Sequence, residues 1–107
     1  MNDPLSAYGW DPHWSRRFDT YLGSPEAHDV QDPAPGRVVR HDGAGLMVAL
    51  RSGTVRAMFG PPVVPAPVVG DWVVLDRHNT PQATLERDSL LRRRAAGGEG
   101  EQALVAN

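Results

Sequence analysis

Apolar and polar residues alternate between Leu46 and Phe59, and the alternation predicts one β-hairpin. With a two-residue turn at Ser52-Gly53, Leu46 faces Phe59, Val48 faces Ala57 and Leu50 faces Val55. Those side chains fall on one side, because successive strand residues point to opposite faces. The other side carries Met47 opposite Met58, Ala49 opposite Arg56, and Arg51 opposite Thr54. A one-residue slip would scatter the apolar set over both faces, so the pattern predicts this register. A hairpin with one greasy face needs more sheet to cover it.

The flanking segments supply that cover. Trp14, Phe18, Tyr21 and Leu22 recur at helical spacing. Asp11 stands where an N-cap belongs, Pro12 at the first helical position, and Gly23 and Pro25 close the segment. The stripe is expected to dock on a core, with a partner surface as the alternative. Ser24 to Pro35 is acidic and proline-bearing, and reads as a linker. Gly36–His41 predicts a first strand, turned into the hairpin by Asp42-Gly43-Ala44-Gly45. Gly60 to Pro67 holds four prolines, which excludes a central strand. A fourth strand runs from Val68 or Val69 to Asp76, and alternation does not say which face of Trp72-Val73-Val74-Leu75 points inward. After a turn at His78 to Pro81, Gln82 to Leu91 predicts a fifth strand.

Five short strands with a long break between the third and fourth predict an all-β fold. The closest architecture is a five-stranded Greek-key barrel of the OB type over residues 36–94. A short N-terminal helix and acidic linker occupy 1–35, and a C-terminal linker occupies 95–107. Glu101 to Asn107 reads as the entrance to a further structural unit.

Composition changes the picture in three places. There is no cysteine, which excludes disulfides and thiolate metal sites. No apolar run is long enough for a membrane helix and no leader pattern is present, so a cytoplasmic protein with no membrane partner is expected. The net charge of −2 argues against a nucleic-acid binder, but its distribution does not. Residues 1–35 carry a balance of −4 and residues 36–94 a balance of +4. All 11 basic residues are Arg, whose flat fork of donors suits phosphate. GC-rich codon usage on a solvated surface would give the same composition.

No motif assembles a catalytic site. Asp42 to Gly45 has the D-x-x-G spacing of GTPases, but Asp-Gly is also what a hairpin turn requires. Gly97-Gly98-Glu99-Gly100 lacks the Lys-Ser/Thr of a phosphate loop. His13, His28, His41 and His78 lack ligand-like spacing, and no serine has an evident base. The arginines remain. The hairpin places Arg51 and Arg56 on its outer face, where OB folds bind oligonucleotides. Arg40 leads into the first loop, Arg77 lies between the fourth and fifth strands, and Arg92, Arg93 and Arg94 end the last strand. These seven are the candidate RNA contacts. The outer face has no stacking aromatics, which favours phosphate tracking on structured RNA. Internal ion pairs at Arg51 and Arg56 would remove the physical footing of this site.

Val69-Gly70-Asp71-Trp72-Val73, then Leu90 to Gly97, then Glu101 to Asn107, resemble the N-terminal part of the ribosome small-subunit-dependent GTPase A family (RsgA, also called YjeQ or YloQ). Tyr8-Gly9-Trp10 and Pro35-Gly36-Arg37-Val38-Val39 are also similar to that family. The basic stretch before Ala95 has only Arg, where the family often has a Lys. The resemblance implies an OB domain that docks on small-subunit rRNA, followed by a permuted GTPase domain and a zinc-binding domain. On that reading this chain is not an enzyme and holds no cofactor. GTP, Mg and Zn are implied for the full-length protein alone, and the partners are small-subunit rRNA and the protein's own GTPase domain. The rival readings are a structural or regulatory domain packed on the GTPase domain, and a free-standing single-strand binder.

Overall fold

The computed structural model describes residues 3–94 and 101–107. A 3-10 helix, Pro4–Tyr8, precedes α1 (Pro12–Leu22). The Asp11 carboxylate accepts the Trp14 backbone N–H at 3.1 Å, so the helix begins where its cap was expected. Five strands form one antiparallel sheet: β1 (Ala34–His41), β2 (Gly45–Leu50), β3 (Gly53–Met58), β4 (Trp72–Leu75) and β5 (Pro81–Thr84). Their order is β3-β2-β1-β4-β5, and the first four strands form the Greek-key arrangement. Among the described residues β3 and β5 do not pair, so the sheet is open. β6 (Leu90–Arg94) and β7 (Glu101–Ala106) form a separate ribbon.

β4 is buried on both sides. Val73 and Leu75 join Val38, Leu46, Val48 and Ala57 in one apolar cluster. Trp72 and Val74 join Leu5, Trp10, Trp14 and Leu85 in another. The alternation could not choose a face because both faces are core. The stripe of α1 docks on the second cluster through Trp14, with Phe18 and Tyr21 packed beside it, while Leu22 is exposed. Trp10 meets Trp72 edge-on at 4.9 Å between ring centroids.

The hairpin keeps its predicted faces but not its register. Leu46 pairs with Ala57, Val48 with Val55 and Leu50 with Gly53, so the turn residues are Arg51 and Ser52. This pairing differs from the expected one by two residues. Side chains alternate with period two, so a two-residue slip leaves every residue on its face. The contacts at the turn distinguish the two registers. With Arg51 at the corner, its guanidinium reaches Asp3 at 3.0 Å and lies over the Trp10 ring at 5.5 Å.

The expected fifth strand is broken into β5 and β6. Leu85 turns into the core and donates its N–H to the Trp72 carbonyl at 2.8 Å. Arg87 and Asp88 then reach in different directions. Arg87 forms a two-pronged ion pair with the fully buried Asp71, both bonds at 2.8 Å. Asp71 also accepts the Val68 N–H at 2.8 Å, and Arg87 donates to the Ala66 carbonyl at 2.9 Å. Asp88 is held by His13 at 2.9 Å and Arg17 at 2.8 Å, which fastens α1 to this segment.

β7 lies within the stretch read as a linker, and its end returns to the sheet. Ala106 donates its N–H to the Val69 carbonyl at 2.8 Å. Gly70 has φ +94°, and a Cβ there would sit 1.9 Å from the Ala106 carbonyl oxygen. Arg37 gathers the same region, donating to the carbonyls of Tyr8, Gly70 and Asn107 while lying over Trp72 at 5.7 Å. Gly36 lets β2 fold tightly over β1, since a Cβ would meet Val48 at 2.4 Å.

Two predictions follow from these contacts. Arg87→Ala leaves Asp71 buried without its cation and is expected to cost about 3–5 kcal/mol in urea unfolding followed by tryptophan fluorescence. Arg87→Met combined with Asp71→Asn should cost clearly less, and equal losses would show that the charge pairing is idle. The His13 hydrogen bond, aided by the Arg17 charge, holds the Asp88 carboxyl below its ordinary value of 3.8. A depressed carboxyl stabilises the fold above the unfolded value, and that contribution disappears as pH falls through the folded value. The thermal midpoint should therefore drop more steeply as pH falls below about 4 in the native chain than in Asp88→Asn. Parallel declines would mean the contact does not contribute.

Candidate nucleic-acid interface

The register of β1, β2 and β3 fixes where the candidate arginines stand. Arg40 pairs with Met47, and Met47 pairs with Arg56, so the three form one row across the sheet. A bulge between Val38 and Arg40 brings Arg40 onto the same outer face as Arg56. This row lies toward the His41 end of β1. Arg51 lies at the opposite end of the hairpin, and Arg77 follows β4 near Ala34. The candidates are thus divided between the two ends of the sheet. Arg92, Arg93 and Arg94 pair along the backbone with Ala103, Gln102 and Glu101, but their side chains lie outside the described part of the structure.

Most of the described candidates meet an acid. Arg51 is ion-paired to Asp3 at 3.0 Å and covers Trp10, so it ties the N-terminal segment to the hairpin. Arg56 is ion-paired to Asp42 at 3.0 Å. Arg77 donates to the Gln31 side chain at 2.9 Å and approaches Asp32 at 3.7 Å. Arg40 is exposed and makes no ion pair among the described residues. The hairpin therefore does not present two unopposed cations on its outer face. Arg51 and Arg56 are both engaged in ion pairs within the chain, which removes the footing that the charge pattern gave them as unopposed phosphate contacts; the pairs are solvent-exposed, where ion pairing is weak.

The electrostatics agree with this geometry. The Arg56 hydrogen bond holds the Asp42 carboxyl below its ordinary range, and Asp42 also accepts the Gly45 N–H at 2.9 Å. Asp3 is lowered first by the Leu5 backbone N–H, then by Arg51. Asp42 thus has two jobs: it shapes the β1–β2 turn and it orients Arg56.

One feature of this end was not read from the sequence. His41 and Phe59 are both exposed, and their ring centroids lie 5.8 Å apart with planes at 46°. They come from segments 18 residues apart, and only the pairing of β1, β2 and β3 brings them together. Arg37 and Arg87, absent from the candidate set, are the arginines that hold interior acceptors. Among the described residues no group of three or more His, Cys, Asp or Glu could hold a metal ion. Nor is any helix there long and apolar enough to cross a membrane.

No protein-family profile matches the chain. Two curated relatives do. The chain is 30% identical over 107 residues to a protein named small ribosomal subunit biogenesis GTPase RsgA 2 from Vibrio parahaemolyticus. It is 28% identical over 102 residues to the protein of the same name from Vibrio vulnificus. The alignments take in 99% and 95% of this chain but only 28% and 27% of those proteins' length. The similarity covers the sheet, α1 and the buried Gly70-Asp71-Trp72-Val73 stretch together, and over essentially its whole length this chain is a relative of the RsgA small ribosomal subunit biogenesis GTPases.

Proposed function

We propose that this chain is the RNA-docking OB module of a small ribosomal subunit biogenesis GTPase, holding small-subunit rRNA through the outer face of β1 to β3. The observation that carries the reading is the similarity to the two RsgA relatives over at least 95% of the chain. The strand order supports the fold part of the proposal. A Greek key followed by a fifth strand beside the fourth is the strand order that an OB barrel opened between β3 and β5 would have. The +4 balance of residues 36–94 supports the RNA part.

Hydrolysis belongs, on this reading, to the remaining length of such a protein. GTP with Mg and Zn do not fit the residues here, since the chain has no Lys for a phosphate loop and no Cys for a zinc site. The module would act in the cytoplasm beside its GTPase domain. A second reading, packing against that domain, is favoured by one surface. Tyr8, Val39 and Val105 are all exposed around a shallow depression that Arg37 and Asn107 also line. Tight association with a separately produced GTPase domain, without RNA, would favour it.

Of the seven candidate arginines, Arg40 carries the docking proposal, and Arg56 joins it only where a phosphate displaces Asp42. Arg51 has an internal job, Arg77 sits elsewhere, and Arg92 to Arg94 remain candidates on their sequence position. Binding of the 107-residue chain to small-subunit rRNA should weaken steeply as salt rises. Arg40→Ala should reduce the log–log salt slope by about 1. Asp42→Asn frees Arg56 while keeping an acceptor for Gly45, and should tighten binding more than the equally charge-changing Asp29→Asn. Salt-insensitive binding, or indifference to both Arg40→Ala and Arg56→Ala, would overturn the site.

A further inference from the structure

We infer that the free edge of β3 is a strand-addition site for an extended segment of another protein, one that alternates apolar and acidic residues. β3 is an outer strand and pairs only with β2 among the described residues. The pairing fixes which of its backbone groups stay open. Val38 donates its N–H to the Asp71 carbonyl and accepts the Gly70 N–H, both at 2.8 Å and both on the β4 side. In an antiparallel sheet a residue turned to one neighbour is turned from the other. Val48, opposite Val38, therefore faces β3 and bonds Val55. Thr54, Arg56 and Met58 then direct their N–H and C=O groups outward, and none of these groups meets a partner among the described residues. A row of alternating donors and acceptors is matched by the backbone of an extended peptide.

The other outer strand, β5, already has a neighbour. Its Thr84 hydroxyl donates to the Pro65 carbonyl at 2.8 Å and Gly60 lies against Thr80, so the proline-bearing 60–67 stretch runs beside it. β3 holds no proline and has no such cover. Its side chains define the segment it takes. A strand added antiparallel places the residue opposite Arg56 on the Met47 side, and the residues opposite Val55 and Ala57 on the apolar side. Arg56 gives Asp42 its Nε and Nη2, which keeps Nη1 for a second carboxylate. On the apolar side Val55 is only half-buried and Phe59, the next residue there, is 40% exposed, so apolar side chains would cover them. β3 contains no acid, so a second copy of the strand would leave that Nη1 unanswered.

The test titrates the 107-residue chain with a short, end-blocked peptide of alternating valine and glutamate, followed by amide hydrogen exchange. The Thr54, Arg56 and Met58 amides should exchange rapidly in the free chain and become protected on binding. Those of Val55 and Ala57 should be protected throughout. Methylating the glutamate nitrogens, which face β3 in this register, should weaken binding about tenfold. Methylating the valine nitrogens should not. Lysine in place of glutamate should weaken binding about threefold, and Arg56→Gln should erase that difference without moving the thermal midpoint. Unchanged exchange at Thr54, Arg56 and Met58, or binding indifferent to glutamate methylation, overturns the strand-addition site. Equal binding of the lysine peptide to the native chain overturns the acidic occupant. A free chain that sediments as a dimer with those three amides protected makes the occupant a second copy, and overturns it too. None of these outcomes bears on Arg40, which carries the RNA reading.

Discussion

Trp72 is the side chain on which the other parts converge. It has no exposed surface, lies against Trp10 and Trp14 on the side of α1, and carries the Arg37 guanidinium over its ring. Its neighbours in sequence are equally committed. Gly70 admits the Ala106 carbonyl, Asp71 anchors Arg87, and Val73 enters the opposite apolar cluster. Four successive residues thus connect the N-terminal helix, the 85–89 segment, the returning chain end and the sheet interior. No apolar replacement for Trp72 fills its volume, and no larger residue replaces Gly70 without displacing β7.

Because one face of the sheet is covered by the N-terminal segment, the surface left for a macromolecular partner is small. The 3-10 helix and α1 cover the Trp72 side, and the acid of that segment, Asp3, neutralises Arg51. The acidic first third of the chain therefore works partly as an internal counter-charge for the basic sheet. Arg77, beside Gln31 and Asp32, repeats the arrangement at the linker. What stays open is the His41 end, where Arg40 has no acid among the described residues and Arg56 shares Asp42 with a turn.

The helix was legible because its signals are local. Asp11 and Pro12 set its start, and the spacing of Trp14, Phe18 and Tyr21 set the face it buries. The proline-rich stretch 60–67 was legible for the same reason, since missing N–H donors exclude a central strand wherever they fall. The hairpin was legible up to its faces. Its register was not, because a repeat of two residues is blind to a slip of two. The fifth strand failed at Leu85 to Ser89, where turning to reach Trp72, Asp71 and His13 outweighs local extended preference.

The sequence by itself determined where α1, the hairpin strands and the proline-rich loop fall, which side of the hairpin is apolar, and how the charge divides along the chain. Those properties depend on residues within a few positions of one another. Only the tertiary structure decided that both faces of β4 are core, that Arg51 answers to Asp3 across 48 residues, and that His41 meets Phe59. Ion pairs and ring contacts act over a few ångströms of space, and distance along the chain does not encode them until the strands have paired.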